Sequence, residues 1–140
     1  MGEVRYVEVT EASIDVDRLR AAVRTTAAGA VVEFYGEIRD HDHGRAVASL
    51  TYEAHPTAQR VLSEVAADIA ARDDVLAVAV AHRFGPVAVG EAALMAVVSS
   101  VHRDGAFTGC RDLVDLTKER LPIWKHQVFA DGSDEWVNCA

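Results

Sequence analysis

The chain has 140 residues, half of them hydrophobic, with 14 basic and 22 acidic residues and a formal net charge of −8. This length fits a single domain over residues 1–140, which has enough apolar residues to form a core without disulfides or metal ions. The acidic balance argues against nucleic acid as a partner, because a phosphate backbone is usually bound by a basic protein face.

Neither the apolar runs nor the two cysteines indicate a membrane or secreted protein. No apolar run has membrane-spanning length, and the first residues, MGEVRYVEV, lack the basic-then-apolar layout of a signal peptide. Cys110 and Cys139 show no metal-binding or redox spacing, and such cysteines are more often reduced. We therefore expect a cytoplasmic protein without a membrane partner.

The first half of the chain predicts strands and helices around one polar loop. Alternating apolar residues predict strands over 4–9 and 47–55, and β-branched and aromatic residues after Gly29 predict a buried strand over 29–39. Apolar residues three to four apart predict helices over 15–24 and 57–72. We expect strand 47–55 to pair with strand 29–39 as a long hairpin closed by the loop RDHDHGR.

The second half predicts a covered sheet, a long helix and two short strands. The nearly continuous apolar runs 75–85 and 91–102 are typical of strands in a covered sheet. Residues 103–120 predict a helix, weakened by two glycines in its first turns, that ends before Pro122. Short strands are predicted over 123–130 and 135–139. Without a regular βαβ repeat or a glycine-rich phosphate loop, this order favours the α+β class.

Two lysines form the first candidate site. The other 12 basic residues are arginines, whereas Lys118 and Lys125 flank the segment ERLPIW. Unlike an arginine, a desolvated lysine can lose its proton and act as a base or nucleophile. Lys118 is predicted in the last helical turn and Lys125 at the start of the next strand, so both amines could face one pocket. The alternatives are a helix-end cation for Lys118 and a side chain covering Trp124 for Lys125.

Three basic residues are candidates for binding an anion. His102 and Arg103 follow a buried strand at the predicted start of a helix, where free backbone N–H groups attract anions. Arg39 lies where a strand meets a loop and could make a bidentate phosphate contact. The alternative for His102 and Arg103 is a purely structural role at the helix start.

The loop after strand 29–39 contains His41, Asp42 and His43, a combination that could bind metal. No third group of ligands is evident in the sequence, and histidine and aspartate are common in exposed turns. Glu53 and His55 lie at the end of the predicted strand before Pro56, and a capped strand end explains them more simply than a role in a site. We therefore predict no metal and no cofactor.

Five segments in the same order resemble the catalytic (large) subunit family of molybdopterin synthase. They are FYGEIRDHDHG, LTYEAHP, HRFG, SSVHRDGAF and KERLPIWKHQ, followed by EWV. The resemblance spans about Gly29 to Val137 and implies a fold of the α/β-hammerhead type. It also implies a sulfurtransferase that forms a homodimer within a heterotetramer, with a small ubiquitin-like sulfur carrier protein as the other subunit.

The resemblance also implies the reaction and the residues involved. The carrier's C-terminal Gly-Gly thiocarboxylate would supply sulfur to cyclic pyranopterin monophosphate (precursor Z), forming the molybdopterin dithiolene. Lys118 matches the family lysine nearest the carrier's terminal carbonyl, and Lys125 matches the lysine that assists acid–base steps. The substrate-binding residues implied are Phe34, Arg39, His102 and Arg103.

Two other classes of function remain open from the residues themselves. A dimeric binding module could use the same cations to sense a phosphorylated metabolite, and it would tolerate Lys118→Arg. A lysine enzyme that forms a Schiff base would instead be trapped by borohydride in the presence of a carbonyl substrate.

Overall fold

A computed structural model describes residues 2–138, which form two β-sheets and three α-helices. The helices are α1 (Val16–Ala22), α2 (Ala58–Ala70) and α3 (Arg103–Arg120). The strands are β1 (Glu3–Thr10), β2 (Ala30–Glu37), β3 (His41–Asp42), β4 (Arg45–Ala54), β5 (Ala77–Arg83), β6 (Gly85–Pro86), β7 (Ala92–Ser100), β8 (Ile123–Phe129) and β9 (Asp134–Asn138). This mixture of elements confirms the predicted α+β class. No helix between residues 2 and 138 is long and apolar enough to cross a membrane.

The first sheet has the strand order β1-β5-β7-β2. Its central strands, β5 and β7, pair in antiparallel fashion and are buried almost throughout, as their continuous apolar sequences predict. β1 pairs with β5 in parallel at one edge, and β2 pairs with β7 at the other. Because β2 is an edge strand, it is only half-buried, and the predicted burial of that segment is wrong.

Helices cover both faces of the first sheet because alternate residues of β5 point in opposite directions. Val78 and Val80 pack in the larger core with α2 and α3 residues such as Leu62 and Leu113. Ala77, Ala79 and Ala81 belong to the second core cluster, which also contains Leu19 of α1. Small alanines on that side leave room for the short helix to lie close to the sheet.

The second sheet has the order β3-β4-β8-β9, with β6 also paired to β4. β4 therefore pairs with β8, where Thr51 is the partner of His126, and the predicted hairpin with β2 is wrong. The chain leaves the first sheet at Ile38, whose N–H bonds to the Glu91 carbonyl. It joins the second at Asp40, whose carbonyl accepts from Val47. Arg39 is thus the crossing point between the sheets.

α3 has the predicted bounds and ends where the sequence indicates. Leu121 adopts an extended conformation with φ −69° and ψ 122°, as expected for a residue before proline. β8 starts two residues later, at Ile123, and turns into β9 around the predicted Asp-Gly turn. The strand predicted over 135–139 matches β9 up to Asn138; Cys139 lies outside the described residues.

Candidate active site

A cavity of about 200 Å³ lies where the two sheets meet. The segment around the chain crossing, the second sheet, the C-terminal turn of α3 and the ends of β5 and β7 all contribute to its wall. The lining residues used below are Arg39, Asp42, Tyr52, His82, Lys118, Lys125 and Gln127. The structure therefore brings together both predicted lysines and one of the three predicted anion-binding residues.

Local sequence explains how the two lysines reach the same cavity. Lys118 is in the last turn of α3, which packs against the first sheet. The extended conformation of Leu121 reverses the chain into β8, where Lys125 pairs with Tyr52 of β4. Directly paired residues of neighbouring strands have their side chains on the same face of a sheet. Tyr52, Lys125 and, two residues on, Gln127 consequently point at the cavity together.

The polar side chains differ in depth. Arg39 is two-thirds exposed at the mouth, and the two lysines are half-buried. His82, Tyr52 and Gln127 are buried. Cationic groups therefore line the cavity from its mouth inward, and neutral polar groups lie deepest.

Asp42 is the carboxylate among these cations. Its Oδ2 accepts a hydrogen bond of 2.6 Å from Gln127 Nε2, and its Oδ1 lies 3.3 Å from Arg39 Nη2. The Gln127 hydrogen bond, together with the charges of His43, Lys125 and Arg39, lowers the pKa of Asp42 below its ordinary value despite partial burial. Asp42 therefore stays ionised at neutral pH and offsets part of the positive charge on the Lys125 side.

His82 of β5 lies beneath the cavity and is fully buried. Its Nδ1 lies 2.7 Å from the Arg83 carbonyl oxygen, so Nδ1 carries the proton and donates it. The ring also makes an edge contact with Tyr52 at 5.1 Å between centroids. Burial lowers the pKa of His82 to about 4, with a smaller contribution from the charge of Lys118. The imidazole is therefore neutral.

The structure separates the other predicted residues from this cavity. His102 is the N-cap residue of α3 and Arg103 its first residue. Fifteen residues of helix separate Arg103 from Lys118, a rise of about 22 Å. Phe34 lies on β2 and lines a different groove, together with Phe107 and Val114 of α3. Within one chain, therefore, His102, Arg103 and Phe34 do not join the lysines in this cavity.

Sequence reasoning assigned no role to His82, Asp42, Tyr52 or Gln127 in the cavity. His82 occurs in the segment HRFG, and Tyr52 in LTYEAHP. The segments that resemble the family therefore contain these residues, but they do not show that the residues line one cavity. Gln127 is two residues after Lys125, the spacing that places residues on one face of a strand.

A second polar group lies beside the cavity. Asp42, His43 and Glu135 have ligand atoms within 4.8 Å of one another, and Glu135 comes from β9, a neighbour that sequence spacing does not indicate. Positive and donor groups compete for these carboxylates. Gln127 donates to Asp42, and Arg45 lies 3.5 Å from Glu135. We assign no metal to this group.

Comparison with known proteins connects the cavity to a family. The family model described as "MoaE protein" matches residues 9–120, which include most of the lining and Lys118. The chain belongs to the MoaE family. This assignment confirms the resemblance identified from the five segments.

Individual relatives cover nearly the whole chain. The molybdopterin synthase catalytic subunit of Thermoplasma volcanium is 38% identical over 132 residues, which is 94% of this chain and 96% of the relative. The crystal structure of molybdopterin synthase from Staphylococcus aureus superposes with a TM-score of 0.85 at 29% identity, covering 96% of this chain and 97% of that one.

A third structure shows how far the fold extends at low sequence identity. A chain of the protein-protein complex of subunits 1 and 2 of molybdopterin-converting factor from Helicobacter pylori has a TM-score of 0.66 at 19% identity. The alignment covers 96% of this chain and 88% of that one. These likenesses confirm the fold type expected for a MoaE protein.

Proposed function

We propose that this MoaE protein is the catalytic subunit of molybdopterin synthase. It transfers sulfur from the C-terminal thiocarboxylate of a small ubiquitin-like carrier to cyclic pyranopterin monophosphate, forming the molybdopterin dithiolene. The observation that supports this reaction most directly is that Lys118 and Lys125, from different elements, line one cavity whose mouth holds Arg39. We place the reaction in the cytoplasm, as the sequence leads us to expect.

Lys118 acts on the carrier's terminal carbonyl group in this proposal. Once the thiocarboxylate sulfur has bonded to the pterin, water adds to the carbonyl carbon, and the carbonyl oxygen carries negative charge in the tetrahedral state until the C–S bond breaks and the carrier leaves as a carboxylate. An ammonium held at this oxygen stabilises the charge more strongly in a half-buried cavity than in water. Lys118 sits at the end of a well-packed helix, which keeps it in place without reorganisation.

Lys125 supplies proton transfer on the pterin side, near the ionised Asp42. The charge of Lys125 contributes to the lowered pKa of Asp42, so the two groups lie within electrostatic reach of each other. A lysine can donate and regain a proton during sulfur addition, which a guanidinium cannot do. Arg39, exposed at the mouth, is placed to contact the substrate phosphate by charge-assisted hydrogen bonds.

His102 and Arg103 require a second copy of the chain if they serve the same site. They lie about 22 Å along α3 from Lys118, so we propose that each acts in the cavity of a partner copy. Exposed apolar side chains support such a dimer: Val31, Val101 and Phe107 are each about half or more exposed near the start of α3 and the free edge of β2. Phe34 lines the groove beside Phe107 and would shape the shared site.

The test is reconstitution with a thiocarboxylated carrier and cyclic pyranopterin monophosphate, with molybdopterin as the product measured. We expect product from the wild type and a loss of at least about tenfold in Lys118→Arg, because a planar guanidinium replaces the compact ammonium at the carbonyl oxygen, and in Lys125→Arg, because charge survives but proton transfer does not. Carrier binding should persist in both variants. Normal turnover in either variant would contradict the role assigned to that lysine, whereas a wild type that binds the phosphorylated ligand but forms no molybdopterin would favour a phosphate-sensing module.

A further inference from the structure

The polar floor of the cavity contains one ring nitrogen that the proposed mechanism does not use. Nε2 of His82 is buried and has no hydrogen-bond partner among the described residues. Since Nδ1 donates to the Arg83 carbonyl, Nε2 carries a lone pair and can only accept. An unpaired buried acceptor costs about 1–3 kcal/mol, so its retention beside a cluster of cations needs a reason.

His82 is on the side of β5 that faces Lys118. Residues 78, 80 and 82 alternate onto the same face, and Val78 and Val80 pack with α2 and α3. Both His82 and Lys118 line the cavity, and the charge of Lys118 acts on the imidazole. Burial is the main cause that opposes protonation of His82, and the charge of Lys118 adds to it, so His82 stays neutral in the cavity that it shares with this lysine.

Both lysines act on polar neighbours in the cavity. The Gln127 hydrogen bond, together with the charges of His43, Lys125 and Arg39, lowers the pKa of Asp42. The charge of Lys118, at the end of α3, acts on the neutral His82. Positive charge from Lys125 and Arg39 in the same cavity works against the ammonium form of Lys118, and a nearby lone pair works for it.

We propose that His82 is a positioning residue that acts through Lys118: the Nε2 lone pair, a neutral acceptor in the same cavity, favours the ammonium form of Lys118. An ammonium, rather than a free amine, is the form that stabilises an oxyanion. The catalytic part of this inference rests on the proposed function; the effect on the Lys118 proton does not.

Other groups around His82 must be considered because they act on the same proton. The titratable or charged side chains that line the cavity are Glu37, Arg39, His41, Asp42, Tyr52, Lys118 and Lys125. β7 contributes apolar residues, Ala93 and Leu94. Arg83, next to His82 on β5, lies on the opposite face of the strand and pairs with Glu91 at 3.5 Å. Tyr52 is thus the polar neighbour that most needs its own control.

The experiment uses the fact that the chain has two lysines. Protein labelled with ¹⁵N or ¹³C in lysine gives two side-chain signals, assigned with Lys118→Arg and Lys125→Arg, and each is titrated with pH in the full-length chain. In His82→Asn the amide keeps a donor near the Nδ1 position and removes the Nε2 acceptor. In His82→Gln an amide oxygen can take the place of Nε2.

We expect the pH midpoint of the Lys118 titration to fall by about one unit or more in His82→Asn, which is a tenfold loss of proton affinity. The midpoint should recover in His82→Gln. The Lys125 midpoint should move less. Ser99→Ala is the matched control, because Ser99 is also buried in the first sheet with an unpartnered hydroxyl but belongs to β7 outside the cavity lining. If His82→Asn does not fold, His82→Phe keeps a ring against Tyr52 and removes the acceptor.

Three outcomes would overturn the inference. The titration midpoint of Lys118 could stay unchanged in His82→Asn, or His82→Asn and His82→Gln could change it equally. The midpoint could also shift in Tyr52→Phe and not in His82→Asn. In the synthase assay, His82→Asn should lower turnover at least about tenfold with carrier affinity unchanged, and His82→Gln should recover it. If the wild type makes no molybdopterin but the titration midpoint of Lys118 still depends on His82, the proposed function is wrong and the role of His82 is supported.

Discussion

Each charged residue around the cavity interacts with particular neighbouring groups. Asp42 stays ionised because Gln127 donates to it and the cations Lys125 and Arg39 act on it. The charges of Lys125 and Arg39 act on that carboxylate, and the charge of Lys118 acts on the neutral His82. Each of these cations thus acts on a particular polar neighbour in the cavity.

Ionised Asp42 should contribute to stability at neutral pH. Its pKa in the folded chain lies below the unfolded value, so the contribution is fully present above the unfolded pKa and is lost as pH falls through the folded pKa. We expect Asp42→Asn to be less stable than the wild type at pH 7, with the difference shrinking toward low pH. Urea unfolding at several pH values measures this, and a difference independent of pH would contradict it.

Cys110 should not carry the transferred sulfur. It is buried, burial raises the pKa of its thiol to about 11, and little thiolate therefore forms at neutral pH. We expect the Cys110→Ala, Cys139→Ser double variant, supplied with thiocarboxylated carrier, to keep substantial molybdopterin formation and to lose about 1 kcal/mol of stability. A folded double variant that binds both substrates and forms no product would return a cysteine to the mechanism.

At the scale of elements, α3 joins two parts of the proposed shared site. Its first turn holds His102 and Arg103, its last turn holds Lys118, and its middle packs on β7 and β2. The two glycines that weaken its predicted helicity allow this close packing. A Cβ on Gly105 would lie 2.5 Å from Ser100 Oγ and 2.6 Å from the Asp74 carbonyl oxygen.

Gly105→Ala should destabilise the protein, although alanine is normally the better helix former by about 1 kcal/mol. The clash with a backbone carbonyl costs about 1–3 kcal/mol. Gly109→Ala is the control, because its Cβ would meet methyl groups of Val98 and Val75 at 3.2 and 3.3 Å, which can adjust. Thermal unfolding compares the two, and a smaller loss in Gly105→Ala than in Gly109→Ala would be the opposite of our expectation.

At the scale of the whole molecule, the distance between the two ends of α3 means that a site using both Arg103 and Lys118, as we propose, would need two chains. Arg103 and Lys118 lie about 22 Å apart along a single helix, so one copy cannot place both at the same substrate. The exposed apolar residues near β2 and the start of α3 indicate where two copies would meet.

Mixing two variants that we expect to be impaired, one at each end of α3, tests this arrangement. In a randomly mixed dimer population of Lys118→Arg and Arg103→Ala, about a quarter of the sites contain neither substitution, because a site draws its lysine from one copy and its arginine from the other. We expect activity to approach that fraction after co-expression or subunit exchange. Activity no higher than the mean of the two separate variants would mean that each site lies within one chain.

Local sequence was sufficient to predict most elements of this protein. β1, β5, β7 and all three helices follow from apolar periodicity, and the end of α3 follows from Leu121-Pro122. These features depend on neighbouring residues in the chain. The five ordered segments were likewise enough to predict the family, because each holds its residue types at fixed local spacing.

Strand pairing and the contents of the cavity depended on the tertiary structure. β4 pairs with β8 rather than with β2, since pairing reflects the packing of two whole sheets, which sequence proximity does not specify. Asp42, His82 and Gln127 meet Lys118 and Lys125 through that packing, although up to 85 residues separate hydrogen-bonded partners. Residue type and local spacing determined which side chains could do chemistry, and long-range packing decided which of them share a site, because burial and electrostatic coupling act through space.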